Sequence, residues 1–210
     1  KVTHVFAVPM LWHGIHKEVM KQIKNSDEKT QKKFNKGINL SLKIQNVFPI
    51  LGKKIASVLF RQVQEKVFGD SIQFMITGGG YVSNDTLRLI NAIGYPLYNG
   101  YGMSELGIAS VELSKKANIR NKAYIGKPFP SVEFKLEKHE NGSDELLVRG
   151  SSLCIEIIDG DNHIVRKEDE WFHTKDAAIC EKDGYKLVGR VDDIVVDSSG
   201  ELISPEVIES

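Results

Sequence analysis

The residues with the clearest chemical capacity fall in three short stretches. Asn99-Gly100-Tyr101-Gly102-Met103-Ser104-Glu105 supplies an aromatic ring, a hydroxyl and a carboxylate beside two glycines. Trp171-Phe172-His173-Thr174-Lys175-Asp176 ends on a second carboxylate, and Gly189-Arg190-Val191-Asp192-Asp193 adds a guanidinium. Gly100 and Gly102 leave a face of Tyr101 open for a planar base. Ser104 offers a hydroxyl to a phosphate oxygen, and Glu105 is a hard oxygen ligand for Mg²⁺, which arrives with substrate phosphates. The competing reading makes Tyr101 a core aromatic, with Ser104 and Glu105 capping a following helix; it leaves both glycines without a reason.

Asp176 can accept from two ribose hydroxyls at once, or form an ion pair with neighbouring Lys175. Arg190 can bridge ribose and phosphate, or sit in a surface ion pair. Gly78-Gly79-Gly80 lets a backbone approach a flat ligand closely and adopt positive φ, but a tight strand-to-helix turn would use the same residues. His13 and His16 share a helix face without a third ligand at zinc spacing. His173 is either a base or a packed imidazole. No serine has a Ser-His-Asp setting, and no Gly-x-x-x-x-Gly-Lys-Ser/Thr phosphate loop occurs.

The elements that must hold these groups are legible in outline. Val2 to Val8 is apolar and β-branched, and Pro9 opens a segment with Leu11, Ile15, Val19 and Ile23 at helical spacing. Ser26 to Asn39 is polar and reads as a loop or a mobile helical excursion. Ile55, Leu59, Val63 and Val67 predict a further helix ended by Gly69. Ile72 to Thr77 predicts a strand, Ser83 the N-cap of a helix closed by Gly94, and Tyr95 to Tyr98 a second short strand ahead of the Gly100 loop. This is the order of a parallel α/β sheet, which binds ligands at the carboxyl ends of its strands. After about Gly126 come short strands at 132–136, 145–149 and 155–158, separated by the turn clusters Asn141-Gly142-Ser143 and Gly160-Asp161-Asn162. Lys182-Asp183-Gly184 predicts a hairpin between 177–180 and 185–188. The fold expected is α/β: a partial parallel α/β subdomain over 1–125, an antiparallel β subdomain over 126–190, and a third unit from 191 to 210. That last unit has strand-like pieces around Ser198-Ser199-Gly200 and a helix start at Pro205.

At 210 residues, with 41% hydrophobic and 27% charged positions, the chain can bury a core. Equal numbers of acidic and basic residues, 28 each, provide no global field that points to nucleic acid or to an anionic membrane. The run Lys29, Lys32, Lys33 and Lys36 reads as a solvated face. Cys154 and Cys180 read as two buried thiols in a reducing cytosol. No apolar run is long enough to cross a bilayer and no signal sequence is visible, so the setting expected is cytoplasmic. The abrupt start at Lys1 and the stop at Ser210 suggest a piece of something larger.

In this order, the motifs resemble those of the adenylate-forming enzymes: acyl-CoA synthetases, nonribosomal-peptide adenylation domains and firefly luciferase. Asn99 to Glu105 is similar to the family's Tyr-Gly-x-Thr/Ser-Glu, Glu145 to Gly150 to its Glu-Leu-x-Val-x-Gly, and Trp171 to Asp176 to its Trp-x-x-Thr-Gly-Asp. Gly189 to Glu209 resembles Gly-Arg-x-Asp and the following Ile-x-Pro-x-x-Ile-Glu. Val8-Pro9-Met10-Leu11-Trp12 is most similar to the long-chain fatty acyl-CoA ligase branch. The resemblance implies Mg-ATP and coenzyme A, and a carboxylate that attacks the α-phosphate before a thiol displaces AMP. It further implies that Gly79, Gly80 and the Asn99–Met103 stretch line the nucleotide site, with Tyr101 on adenine, Ser104 on the α-phosphate and Glu105 on Mg²⁺. Asp176 and Arg190 would bind ribose, and Asp192 would be the hinge of a small C-terminal domain. A fatty substrate would place peripheral membrane contact among the expected partners, although no amphipathic basic helix is legible.

Three departures stand out. Lys175 occupies a family Gly; if the position needs positive φ, a Lys there costs about 1 kcal/mol or more. Gly80-Tyr81 replaces Ala-Pro. The family's phosphate loop and its C-terminal catalytic Lys do not occur between Lys1 and Ser210, so this stretch alone is expected to be inactive. Acyl transfer to a carrier protein and a degenerate, non-catalytic nucleotide-binding module are the alternatives.

Overall fold

The structure, a computed structural model, describes residues 1–139, 142–159, 161–166, 169–196, 202, 203 and 205. The chain forms two compact units: residues 1–99 with 112–123, and 100–111 with 124–210.

In the first unit, β1 (His4–Ala7), β2 (Phe74–Thr77) and the start of β3 (Leu97–Met103) are parallel, with Val5 opposite Met75 and Met75 opposite Leu97. Helix α1 (Pro9–Lys24) begins with proline at its first turn, where no N–H is missed. It buries Trp12 completely, with the indole N–H donating to the Ala7 carbonyl at 3.3 Å. All but the first two residues of Ser26 to Asn39 are helix: α2 (Glu28–Val47) starts where Asp27 accepts the Thr30 N–H at 2.9 Å, and buries Phe34, Ile38 and Leu42 four residues apart. The helix expected around Ile55 to Val67 is two, α3 (Pro49–Leu59) and α4 (Arg61–Val67). The break is at Phe60, whose ring turns into the core edge-on to Phe34 at 5.5 Å.

Helix α5 (Asn84–Ala92) has the expected cap, with Ser83 Oγ accepting the Thr86 N–H at 3.2 Å. Its orphan C-terminal carbonyls are satisfied from other helices. Ser41 donates to Ala92 at 2.6 Å, Gln45 to Asn91 at 2.9 Å, and Gln64 to Ile93 at 2.7 Å. Gly94 follows at φ +102, a left-handed conformation that glycine takes without strain and other residues do not. A short α6 (Ala117–Arg120) completes this unit.

The second unit is antiparallel. The end of β3, then β4 (Gly107–Val111), β5 (Tyr124–Pro128), β6 (Val132–Lys138), β7 (Asp144–Gly150), β10 (Phe172–Glu181) and β11 (Gly184–Arg190) line up as β3-β4-β5-β11-β10-β7-β6. Its core includes Tyr101, Leu106, Ile125, Leu146, Val148 and Ala178. β8 (Glu156–Asp159) pairs with β9 (Asn162–Val165), and β12 (Val195–Val196) with β13 (Leu202–Ile203).

Two expectations change here. β3 does not stop at Tyr98: it runs through Gly100 and Gly102, and returns as β4 through a turn at Ser104-Glu105-Leu106, so no helix follows to be capped. The thiols are not both buried, since Cys180 is exposed and Cys154 half-buried, each free. Asn141, Gly160, the turn Ser198-Ser199-Gly200 and the segment at Glu209-Ser210 lie outside the described residues. Among the described residues no helix is long and apolar enough to cross a membrane.

Candidate nucleotide site

Register puts two of the sequence candidates directly opposite each other: Asp176 on β10 pairs with Arg190 on β11. β10 is irregular at this point. Its register against β11 shifts after Ala177, and against β7 between His173 and Ala177. The irregularity centres on Lys175, which sits at φ +59, in the left-handed region. A residue in that conformation inside a strand re-aims its neighbours, as bulges do.

The strained backbone is tied on both sides. Glu145, on β7 and 8% exposed, accepts the Lys175 N–H on Oε1 at 2.9 Å, and its Oε2 lies 3.0 Å from His173 Nδ1. The Lys175 carbonyl accepts from Val191 N at 2.9 Å. Thr174 anchors the turn from below, donating to the Leu146 carbonyl at 2.6 Å and accepting the Asp176 N–H at 3.0 Å. Lys175→Gly is therefore expected to relieve strain without loosening the clamp. The expected gain is about 1 kcal/mol, or a rise in Tm of about 2–4 °C, read by thermal unfolding.

So placed, the Asp176 carboxylate accepts the Tyr101 hydroxyl on Oδ2 at 2.6 Å and pairs with Arg190 Nη1 on Oδ1 at 2.8 Å. Arg190 Nη1 also donates to the Thr174 carbonyl at 3.0 Å. Asp176 thus takes Arg190, not Lys175, as its ion-pair partner. A carboxylate has about four lone-pair sites, and these contacts occupy two. The Asp176 side chain keeps 15% exposure, so acceptor capacity remains at the surface, suited to a vicinal diol. The ion pair raises Arg190 above its ordinary range, chiefly through the hydrogen bond to Asp176.

Tyr101 is 6% exposed and meets Phe134 edge-on at 6.1 Å. A base stacking on it would use the little ring surface that remains. Burial, then the Asp176 charge, raises Tyr101 well above 10.0. The folded value exceeds the unfolded one, so its contribution is complete below pH 10.0 and is lost as pH rises beyond it. Urea unfolding above pH 10.0 should therefore show stability falling by up to about 1.4 kcal/mol per pH unit from this group, and Tyr101→Phe should remove that part of the slope.

Ser104 is exposed at the β3–β4 turn and Glu105 half-buried beside it. The turn is held by Leu106 N–H to the Met103 carbonyl at 3.1 Å and Cys154 N–H to the Glu105 carbonyl at 2.7 Å. One carboxylate there suits a Mg²⁺ already carried by phosphates. No cluster of three or more His, Cys, Asp or Glu side chains able to cage a metal occurs among the described residues. Gly102 is half-buried in β3, where a Cβ would lie 2.3 Å from the Gly107 carbonyl oxygen. Asp192 is exposed on a turn in which the Asp193 and Ile194 N–H groups both donate to the Arg190 carbonyl at 3.1 Å.

In the first unit, Gly79 (φ +80) and Gly80 follow β2, and the buried Thr77 hydroxyl at the end of that strand has no hydrogen-bond partner among the described residues. The Asn99 amide donates to the Ala123 carbonyl at 3.1 Å, a structural use. His13 is explained without a metal: its Nε2 accepts the Ser83 N–H at 3.2 Å, and burial lowers its pKa. Residue reasoning missed Glu145 as a member of the site. The only signal was an acidic residue at the head of an otherwise apolar strand.

A family model described as AMP-binding enzyme matches residues 1–155. The chain is similar to long-chain-fatty-acid–CoA ligase 2 of Schizosaccharomyces pombe, 26% identical over 221 residues, which are 99% of this chain and 32% of that protein. It is also similar to fatty acyl-CoA synthetase B of Dictyostelium discoideum, 30% identical over 226 residues, 99% of this chain and 33% of the other. The chain thus spans about a third of the length of the curated relatives it matches. Among solved structures, it is similar to o-succinylbenzoate coenzyme A synthetase from Bacillus subtilis in complex with ATP and magnesium ion. The TM-score is 0.52 at 22% identity, covering 70% of this chain and 33% of that one. Coronafacic acid ligase from Pectobacterium brasiliense gives 0.52 and 22%, over 75% and 32%. At such identities the likeness is one of fold.

Proposed function

The chain belongs to the AMP-binding enzyme family, and from that premise we propose that the intact protein is an ATP-dependent acid–thiol ligase that joins a long-chain fatty acid to coenzyme A. A carboxylate oxygen attacks the α-phosphorus of ATP and pyrophosphate leaves. The coenzyme A thiolate then attacks the acyl carbon of the adenylate, and AMP leaves with the bonding electrons. In-line displacement at phosphorus needs positioning and charge neutralisation more than covalent help.

The observation that carries the reading is the Tyr101–Asp176–Arg190 cluster, a carboxylate with spare acceptor sites clamped between a phenol and a guanidinium. In it, Asp176 accepts the ribose hydroxyls, with Arg190 holding the carboxylate and facing the phosphate side. Tyr101 borders the adenine and Ser104 donates to the α-phosphate, while the family resemblance assigns Gly79 and Gly80, on the first unit, contacts to the nucleotide and the acyl group. Mg²⁺ held by Glu105 would offset charge on the phosphates. Asp192 is the hinge between half-reactions. Two free thiols suit a reducing, cytoplasmic setting. The names of the relatives support the long-chain acid and coenzyme A.

The test is pyrophosphate release by the intact protein with Mg-ATP and acids from acetate to palmitate, with and without coenzyme A. Release with a long acid, joined by coenzyme A-dependent AMP formation, is the expected result. Release indifferent to coenzyme A would favour a carrier-protein acceptor, and ATP binding with no release would favour a non-catalytic module. Residues 1–210 alone should release none.

A further inference from the structure

By the local rules of a sheet, Glu145 is misplaced. It heads the Glu145-Leu146-Leu147-Val148 run of β7 and is 8% exposed, and a buried carboxylate costs stability unless it is paired and hydrogen-bonded. The residue directly opposite on β6 is another carboxylate, Glu137, and like charges set opposite each other weaken a strand pair. Glu137 pairs with Lys135 at 2.8 Å. Neither packing nor strand pairing explains a carboxylate at position 145.

Its contacts with β10 do. Leu147 pairs with His173 and Glu145 with Ala177, so a two-residue step along β7 matches a four-residue step along β10. Within that extra length the Lys175 and Asp176 N–H groups bond to side chains rather than to a strand. Lys175 donates to Glu145 Oε1 at 2.9 Å, and Asp176 to Thr174 Oγ1 at 3.0 Å. The second Glu145 oxygen lies 3.0 Å from His173 Nδ1, so one carboxylate fixes the bulge at two points.

The backbone held in this way is one that lysine avoids. Lys175 lies at φ +59, where an L side chain is disfavoured and glycine is not. The next residue is Asp176, whose two oxygens meet Tyr101 and Arg190. A return of Lys175 to ordinary strand φ would re-aim Asp176 away from both, because side-chain direction along a strand follows the backbone residue by residue.

We propose that Glu145 is a positioning residue of the nucleotide site: its carboxylate holds the left-handed Lys175 turn that aims Asp176 at the ribose. The role rests on the ligase reading and extends it, placing part of the ATP affinity on a buried residue of another strand that acts only through Asp176. Because residue 175 is lysine, the turn relies on Glu145 for what a glycine would supply unaided. Without that carboxylate the aimed conformation falls to about one part in ten, and apparent affinity falls in proportion.

The experiment uses the intact protein, with kcat and KM for ATP from pyrophosphate release and ATP affinity from isothermal titration. Glu145→Ala should raise KM for ATP about tenfold with little change in kcat, as expected for lost uniform binding. Glu145→Asp, one methylene short of the Lys175 N–H, carries the same expectation and keeps the charge. Glu145→Gln retains an acceptor oxygen and should stay within about threefold of wild type. In a Lys175→Gly background, Glu145→Ala should cost only about twofold, because glycine takes positive φ by itself. Val132→Ala, a truncation in the core of the same unit, should lower Tm and leave KM for ATP unchanged. Unchanged KM in both Glu145→Ala and Glu145→Asp, an undiminished penalty in the Lys175→Gly background, or an equal rise in Val132→Ala would overturn the proposal. Any of these in an active enzyme removes Glu145 alone and leaves the ligase reading standing. A wild-type protein that neither binds ATP nor releases pyrophosphate overturns that reading, and the role of Glu145 with it.

Discussion

Asp176→Ala is expected to destabilise the second unit by about 3 kcal/mol and, in the intact protein, to raise KM for ATP about a hundredfold. The stability term has two parts. Removing the carboxylate leaves the Tyr101 hydroxyl, on a residue 6% exposed, without its acceptor, and such an orphan costs about 1–3 kcal/mol. It also strips Arg190 of its ion pair at 2.8 Å. The guanidinium remains partly solvated and keeps the Thr174 carbonyl, so this part falls below the penalty for a fully buried charge. The nucleotide term follows from losing two charge-assisted hydrogen bonds to a diol, about 1.5 kcal/mol or more apiece. Asp176→Asn separates the two effects. Its single carbonyl oxygen can still receive Tyr101, so most stability should return, while Arg190 loses its counter-charge and ATP affinity stays low. Urea denaturation and steady-state kinetics on both variants are the measurements. Wild-type affinity in Asp176→Ala would remove Asp176 from the site.

Gly102→Ala should destabilise by about 3 kcal/mol although it adds one methyl group. The Cβ would lie 2.3 Å from the Gly107 carbonyl oxygen and 3.0 Å from its carbonyl carbon. Both are backbone atoms of β4, paired with β3 at Met103 and Gly107. A side chain could rotate aside; a hydrogen-bonded strand cannot, so β3 and β4 must part. The same displacement would move Tyr101, one residue away, off Asp176. Gly102→Ala should therefore lose nucleotide affinity together with stability. By contrast, Gly107→Ala removes a glycine at φ +73 where nothing lies within 4 Å of the new Cβ, so its effect should be confined to about 1 kcal/mol of backbone strain. Near-native stability in Gly102→Ala would show that the β3–β4 hairpin yields more readily than paired strands do.

Elements with a strong local signal were legible. The Ser83 cap, the Pro9 helix start, β2 and the β10–β11 hairpin follow from spacing and turn chemistry. Lys175 was legible only as a condition, because a lysine in a family glycine position is strained if that position needs positive φ, and the structure supplies the condition with φ +59. Helix α2 was obscured by its polar majority, since only Phe34, Ile38 and Leu42 carry its buried face. The break at Phe60 was invisible, because Leu59 and Val63 keep helical spacing across it; it exists because Phe60 finds Phe34 in the core. Gly102 was read as freeing a ring face, whereas its lack of a side chain is needed by a neighbouring strand.

The sequence alone supplied the groups with chemical capacity, a ring, a hydroxyl, two carboxylates and a guanidinium, in an order that resembles one superfamily. Their partners were decided only by the tertiary structure. Tyr101 meets Asp176 across 75 positions, Lys175 N–H reaches Glu145 across 30, and Asp176 chooses Arg190 over the lysine beside it. Local spacing reports what a residue can do and which face it shares with near neighbours. Which oxygen a buried hydroxyl finds depends on strand order and register, and those are chosen by the whole core at once, through the burial of side chains that take no part in the chemistry.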